Sequence, residues 1–89
     1  MPQVVFAPHL RRHVDVPPVQ VQAATVREAL EAVWAIAPRL RGYVLDEQGA
    51  LRTHVVVFVN ARKVRDRQGL TDAVAEADQI HVFQALSGG

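Results

Sequence analysis

Cysteine is absent from the 89 residues, and tryptophan, tyrosine, methionine, serine and lysine occur once each. Without cysteine there is no disulfide framework, no thiolate metal site and no thiol nucleophile. The lone serine, Ser87, stands near the chain end with no base fixed beside it, which excludes a serine triad. No Gly-rich phosphate loop, no dinucleotide fingerprint and no paired carboxylates in a plausible cleft can be read. His9 and His13 have the four-residue spacing of two ligands on one helical face. Pro8 and Pro17 bracket them and no third ligand group accompanies them, so no metal site is expected. His54 and His81 fall at strand positions and read as structural. Apolar runs are too short to span a bilayer. Pro2 and Gln3 stand where a signal peptide would carry its basic region, so a cytoplasmic location is the expectation.

Net charge is also in short supply. Ten Lys and Arg against nine Asp and Glu leave a net charge of +1, which argues against a nucleic-acid binder driven by bulk electrostatics. The basic residues are uneven: Arg62, Lys63, Arg65 and Arg67 fall close together, and Arg11 and Arg12 lie near the start. Such a cluster reads first as solvated loop charge. Its functional alternative is a docking patch for an acidic protein surface.

What the chain does hold is one small domain. A hydrophobic fraction of 49% and a charged fraction of 21% are ordinary for a globular protein. A chain of this length buries about 60–65% of its unfolded surface, enough for a single core. Gln3–Phe6 reads as a short strand stopped by Pro8, followed by a polar, basic loop over 9–16 that Pro17-Pro18 closes. Val19–Gln22 alternates apolar and polar residues as a half-buried strand does. Thr25, with Glu28 three residues on, is the signature of a capping box and predicts a helix over about 25–37. Val26, Ala29, Leu30, Val33, Trp34 and Ala37 form its apolar stripe, and Pro38 ends it.

The segment 39–52 is a connector in which Leu40, Tyr43 and Leu45 pack a short turn and Asp46–Gly49 reverses the chain. His54–Asn60 is the strongest strand; five consecutive apolar residues make it apolar on both faces and therefore central. Asn60-Ala61 leads tightly into a short basic strand, Lys63–Arg65. Gln68-Gly69 is a turn and Leu70–Val74 a single helical turn. Gln79–Leu86 is the last strand, and it runs directly into Ser87-Gly88-Gly89.

The order β-β-α-β-β-β predicts an α+β fold: a mixed sheet of four or five strands with one helix on one face, the ubiquitin-like β-grasp. Residues 1–86 would form that domain and 87–89 a tail. A carboxylate on a Gly-Gly end is the least hindered acyl group a chain can offer. Three extended residues reach only about 10 Å, so the tail can enter another protein's active site only if the domain docks as well. The docking surface expected from this constraint is an exposed apolar part of the sheet near the last strand, with Phe58, Phe83 and Leu86 as candidates. Alternation does not fix which of them faces outward, because the central strands are apolar on both faces.

Over nearly its whole length the chain resembles the sulfur-carrier proteins of the MoaD and ThiS type. The resemblance is carried by Leu51–Asn60 and the turn after it, by Ala75-Glu76-Ala77-Asp78-Gln79-Ile80, and by the ending Ala85–Gly89. The connector from Leu40 to Asn60 looks most like the CysO-like branch, which supplies sulfur for cysteine synthesis. Ala77 stands where family members often have glycine, and Gln84 where many have proline, and the subfamily is left open by both.

The resemblance implies a protein cosubstrate and not an enzyme. An adenylating enzyme similar to those that start ubiquitin transfer would use ATP and magnesium to convert the Gly89 carboxylate to an acyl-adenylate. A sulfide or persulfide donor would then leave a thiocarboxylate on Gly89. The acceptor would be a cysteine synthase, the large subunit of molybdopterin synthase, a thiazole synthase or a tRNA-thiolating system. The chain itself would bind no cofactor or metal and would contact neither nucleic acid nor membrane. The same activated carboxylate would also serve a protein modifier joined through Gly89 to lysines, with Lys63 the one lysine available for self-linkage. A plain β-grasp binding module, with incidental glycines, is the remaining alternative.

Overall fold

Thr25 has the extended backbone of an N-cap (φ −135°, ψ 163°), and its hydroxyl accepts from the Glu28 N–H at 3.2 Å. Glu28 reaches back, but its carboxylate accepts from Ala24 N–H, at 2.7 Å, rather than from the N-cap residue itself. The Thr25 hydroxyl satisfies one donor that the first helical turn leaves open, and the Glu28 carboxylate satisfies the N–H just before the cap. Helix α1 follows as Val26–Ile36. It buries Val26, Ala29, Leu30 and Val33, with Trp34 and Ala37 partly buried against the same core. Pro38 stops it and opens a 3₁₀ turn, Pro38–Leu40, which passes into the short helix α2, Arg41–Val44.

The computed structural model describes residues 1–6 and 17–84. Its strands are β1 (Gln3–Phe6), β2 (Val19–Gln20), β3 (Val55–Val59), β4 (Arg62–Lys63) and β5 (Gln79–Gln84), in the sheet order β2-β1-β5-β3-β4. β5 lies in the middle, parallel to β1 and antiparallel to β3. The register places Val4 beside Ile80 and Phe6 beside Val82, and on the other side Val57 beside Val82 and Val59 beside Ile80. These residues and Val55 are buried, and they form the sheet's half of one core whose other half comes from α1 and the connector residues Leu40, Val44, Leu45 and Leu51. The topology is the β-grasp expected from the element order.

Several local expectations need correction. The strand expected over 19–22 pairs only at Val19–Gln20. The Val21 N–H still reaches Pro2 O at 2.9 Å, but Pro2 has no N–H to return, so the ladder cannot continue past it. The basic strand is Arg62–Lys63, one residue earlier than expected. It stops there because the N–H groups of Arg65 and Asp66 both turn to the Asp72 carboxylate. Leu70–Val74 is not a helical turn. Leu70 has φ +56°, and the segment runs extended beside the start of α1: Val26 N–H donates to Asp72 O, Arg27 N–H to Leu70 O and Val74 N–H to Ala24 O, each at 2.9 Å. Tyr43 is 41% exposed while its neighbours Leu40, Val44 and Leu45 are buried. The expected loop over 9–16 lies outside the described residues.

Two carboxylates organise the loop from 64 to 72. Asp66 accepts from the Gln68, Gly69 and Thr71 N–H groups and from the Thr71 hydroxyl, the last at 2.6 Å. The Thr71 hydroxyl and then the Gly69 N–H are the main causes that lower its pKa from 3.8 to about 2. The Arg65 and Asp66 N–H groups lower that of Asp72. A carboxylate whose folded-state pKa is depressed contributes stability above its unfolded value and loses it as pH falls through the folded one. Urea unfolding at a series of pH values is expected to show stability falling between about pH 5 and about pH 2. Asp66→Asn should lower stability at neutral pH and flatten that fall; an unchanged pH profile would show that Asp66 does not contribute.

Candidate functional site

The outer face of the sheet, turned away from α1, carries the site. Alternation in β5 turns Ile80 and Val82 inward and His81 and Phe83 outward. β3 turns Val55, Val57 and Val59 inward and leaves Val56 and Phe58 half-buried on the outside. The antiparallel register sets Phe58 opposite His81 and Val56 opposite Phe83. Phe58 is therefore diagonal to Phe83, and the rings meet edge to face with centroids 5.8 Å apart and planes at 83°. The His81 ring stacks on Phe83 at 6.1 Å. Lys63, paired with Phe58 across the β3–β4 ladder, shares the same face.

Together Val56, Phe58, Asn60, Lys63, His81 and Phe83 line an open trough of about 630 Å³. Its surface is almost wholly apolar, and Phe83 remains 40% exposed. The aromatic pair bridges β3 and β5, whose opposite face is closed by the core, and its apolar surface makes this face the candidate site. The trough adjoins a polar crevice to which Asp46, Gln48, Thr53 and Arg67 contribute, and Val56 and Lys63 line both.

Asn60 does more than close a turn. Its backbone is left-handed, with φ +56°, a conformation Asn tolerates better than most residues. Its N–H donates to Gln79 O at 2.7 Å while its side-chain oxygen accepts from Gln79 N–H at 2.9 Å. Its amide nitrogen donates to Asp78 Oδ1 at 2.8 Å, and Asp78 Oδ2 accepts from Ala75 N–H at 2.8 Å. The Ala75 N–H and the Asn60 amide together lower the Asp78 pKa. Asp78 O also accepts from Gln3 N–H, so one turn fixes the entry of β5 against both of its neighbours.

Of the residues expected at the site, the structure brings Phe58 and Phe83 together on one exposed face. Leu86, Ser87, Gly88 and Gly89 lie outside the described residues. His81, expected to be structural, lines the trough, as do Val56, Lys63 and Asn60, which were not expected there. The basic cluster is divided. Lys63 faces the trough, Arg67 donates to Arg52 O at 2.8 Å, and Arg62 sits close enough to Asp72 and Asp78 to lower both pKa values. Among the described residues no group of three or more His, Cys, Asp or Glu is placed to hold a metal ion. No helix among them is long and apolar enough to cross a membrane.

The sequence profile of the ThiS family matches residues 9–89. Small archaeal modifier protein 3 of Haloferax volcanii is 33% identical over 66 residues, covering 74% of this chain and 71% of that protein. A putative sulfur carrier protein of Archaeoglobus fulgidus is 25% identical over 71 residues, covering 80% and 81%. Among solved structures, a chain of the Amycolatopsis orientalis BexX/CysO complex is 27% identical, with a TM-score of 0.84 and full coverage of both chains. The fold and these relatives define a ubiquitin-like protein of the sulfur-carrier and small-modifier class. Within that class, the chain belongs to the ThiS family.

The Asn60 clamp makes a graded prediction. Asn60→Gly keeps the left-handed backbone and loses only the side-chain bonds, about 1–3 kcal/mol of stability. Asn60→Ala loses the same bonds and keeps a Cβ in that conformation, which costs about 1 kcal/mol relative to glycine. Urea denaturation should rank Ala below Gly below wild type; equal stability of all three would remove the clamp from the account of β5.

Proposed function

We propose that this protein is a sulfur carrier whose Gly89 carboxylate is activated and converted to a thiocarboxylate while the outer sheet face docks on the activating enzyme. The observation that carries the reading is the trough formed by Phe58 of β3 and Phe83 of β5, the strand that leads to the Gly-Gly sequence. β5 ends at Gln84, five residues before Gly89. Five residues span at most about 17 Å when fully extended. An active site holding the Gly89 carboxylate therefore lies within that distance of the end of β5, and its enzyme must cover the nearby sheet surface.

The chemistry requires little of this chain. The Gly89 carboxylate attacks the α-phosphorus of ATP, held with magnesium on the partner, and pyrophosphate leaves. Hydrosulfide, free or released from a persulfide donor by a second thiol, attacks the acyl carbon, and AMP leaves. The product is a thiocarboxylate whose sulfur is a nucleophile toward an electrophilic acceptor. The carrier contributes position, by docking a rigid domain with the reactive group on a short tether. Gly88 and Gly89 contribute access, since neither has a side chain to obstruct a narrow channel. Resemblance to the CysO chain supports an acceptor in cysteine synthesis; a molybdopterin-synthase large subunit and a thiazole synthase are the competing acceptors.

A second reading is favoured by the relative named a small modifier protein: the same acyl-adenylate would be captured by a lysine amine, giving an isopeptide bond. Incubation with an adenylating enzyme of the ubiquitin-activating type from the same organism, ATP and sulfide separates the two. Intact-mass analysis is expected to show one oxygen replaced by sulfur at Gly89. Covalent adducts with other proteins, and no such exchange, would favour the modifier. Deletion of Gly88 and Gly89 should abolish either outcome, and a truncated chain that keeps its function would leave only a binding module. Phe58→Asp and Phe83→Asp should each slow adenylation while preserving the fold, as judged by circular dichroism. An unchanged rate for both would remove the outer face from the docking surface.

A further inference from the structure

On the outer face, charge is sparse and of one sign. The strand residues turned that way are Gln20 on β2, Gln3 and Val5 on β1, Gln79, His81 and Phe83 on β5, Val56 and Phe58 on β3, and Lys63 on β4. Lys63 is the one formally charged group among them. No Asp or Glu lines the trough, and among the described residues no carboxylate pairs with Lys63. The carboxylates nearby in the fold are already engaged. Asp46, in the adjoining crevice, accepts from the Gln48 and Ala50 N–H groups, and Asp78 accepts from Asn60 and Ala75. Lys63 is held on this face by backbone pairing and not by a salt bridge, directly across from Phe58. Its stem can lie along the apolar floor with the ammonium at the rim.

We infer that the trough receives a protein surface that inserts an apolar side chain against Phe58 and Phe83 and sets a carboxylate against Lys63. This rests on the reading of the outer face as the docking surface of the activating enzyme, and it specifies the chemistry of that enzyme's contact. A second copy of this chain is the wrong occupant. Two such faces packed on each other would bury two Lys63 ammonium groups with no carboxylate in either trough to neutralise them. The remaining basic residues do not share the role. Arg67 donates to Arg52 O, Arg62 alternates to the face of β4 opposite Lys63 through its pairing with Val59, and Arg65 lies beyond the end of β4 and outside the trough. Lys63 is thus the residue of the basic cluster at which an acidic partner is distinguished from a neutral one.

The test measures association of the full chain with the same adenylating enzyme, by ATP–pyrophosphate exchange over a range of carrier concentrations and two salt concentrations. Lys63→Met keeps the apolar stem and removes the charge; it should weaken apparent affinity about two- to fivefold, the range for an exposed ion pair. It should also reduce the loss of affinity caused by salt. Lys63→Glu should weaken association further, while Arg65→Met, in the same cluster but outside the trough, should leave it unchanged. Phe83→Asp reports on docking alone. If it weakens association while both Lys63 variants do not, the docking face stands and the carboxylate contact is overturned. If Phe83→Asp also has no effect, the docking reading itself falls. Self-association in sedimentation experiments that Lys63→Glu strengthens would identify a second copy as the occupant and overturn the inference.

Discussion

The pairing of β5 on both of its edges is the constraint on which the rest of the structure depends. Gln79–Val82 pair in parallel with β1 and Ile80–Gln84 antiparallel with β3, and this double registration fixes which side of every central strand is core. A slip of one residue would turn Ile80 and Val82 to solvent and Phe83 into the core, and with it reverse the two faces. The helix responds to this parity: its apolar stripe has a floor to cover because Val4, Phe6, Val57, Val59, Ile80 and Val82 all point one way. The trough is the other result of the same registration, since whatever β5 and β3 do not bury against the helix they must present together outside.

Entry into that registration is governed by a few polar groups. Asn60 and Asp78 join the β3–β4 turn to the turn before β5, so the strand begins at a fixed residue. Asp66 and Asp72 act similarly on the loop that closes over the start of α1. These carboxylates sit near the surface, and their acceptance of several backbone N–H groups replaces regular secondary structure in segments too short for it. Polar anchors hold the frame, and the Phe58–Phe83 pair on the outer face takes no part in it.

Much of the fold could be read from the chain because its strongest local patterns agree with its topology. Thr25 with Glu28, the stripe from Val26 to Ala37, the break at Pro38 and the valine-rich β3 each have a short-range cause, and each is where the pattern put it. Less of the site was legible. Phe58 and Phe83 could be proposed, yet not oriented, because β3 is apolar on both faces and only long-range register decides the question. His81, Val56 and Lys63 were hidden for the same reason: their shared face exists only once β3, β4 and β5 are aligned. The segment Leu70–Val74 misled because its composition suits a helical turn, whereas backbone bonds to Ala24, Val26 and Arg27, more than forty residues away in sequence, hold it extended.

The parallel pairing of β1 with β5 joins segments 76 residues apart, as Gln3 beside Gln79 shows. On a ribosome the first strand is made early, but its central neighbour does not exist until almost the whole chain has been synthesised. Contacts between such distant segments also form slowly, because the intervening loop must close first. The sheet is therefore completed last at the strand nearest Gly89. An enzyme that binds the face built by β3 and β5 would meet that face only on chains translated and folded through Gln84.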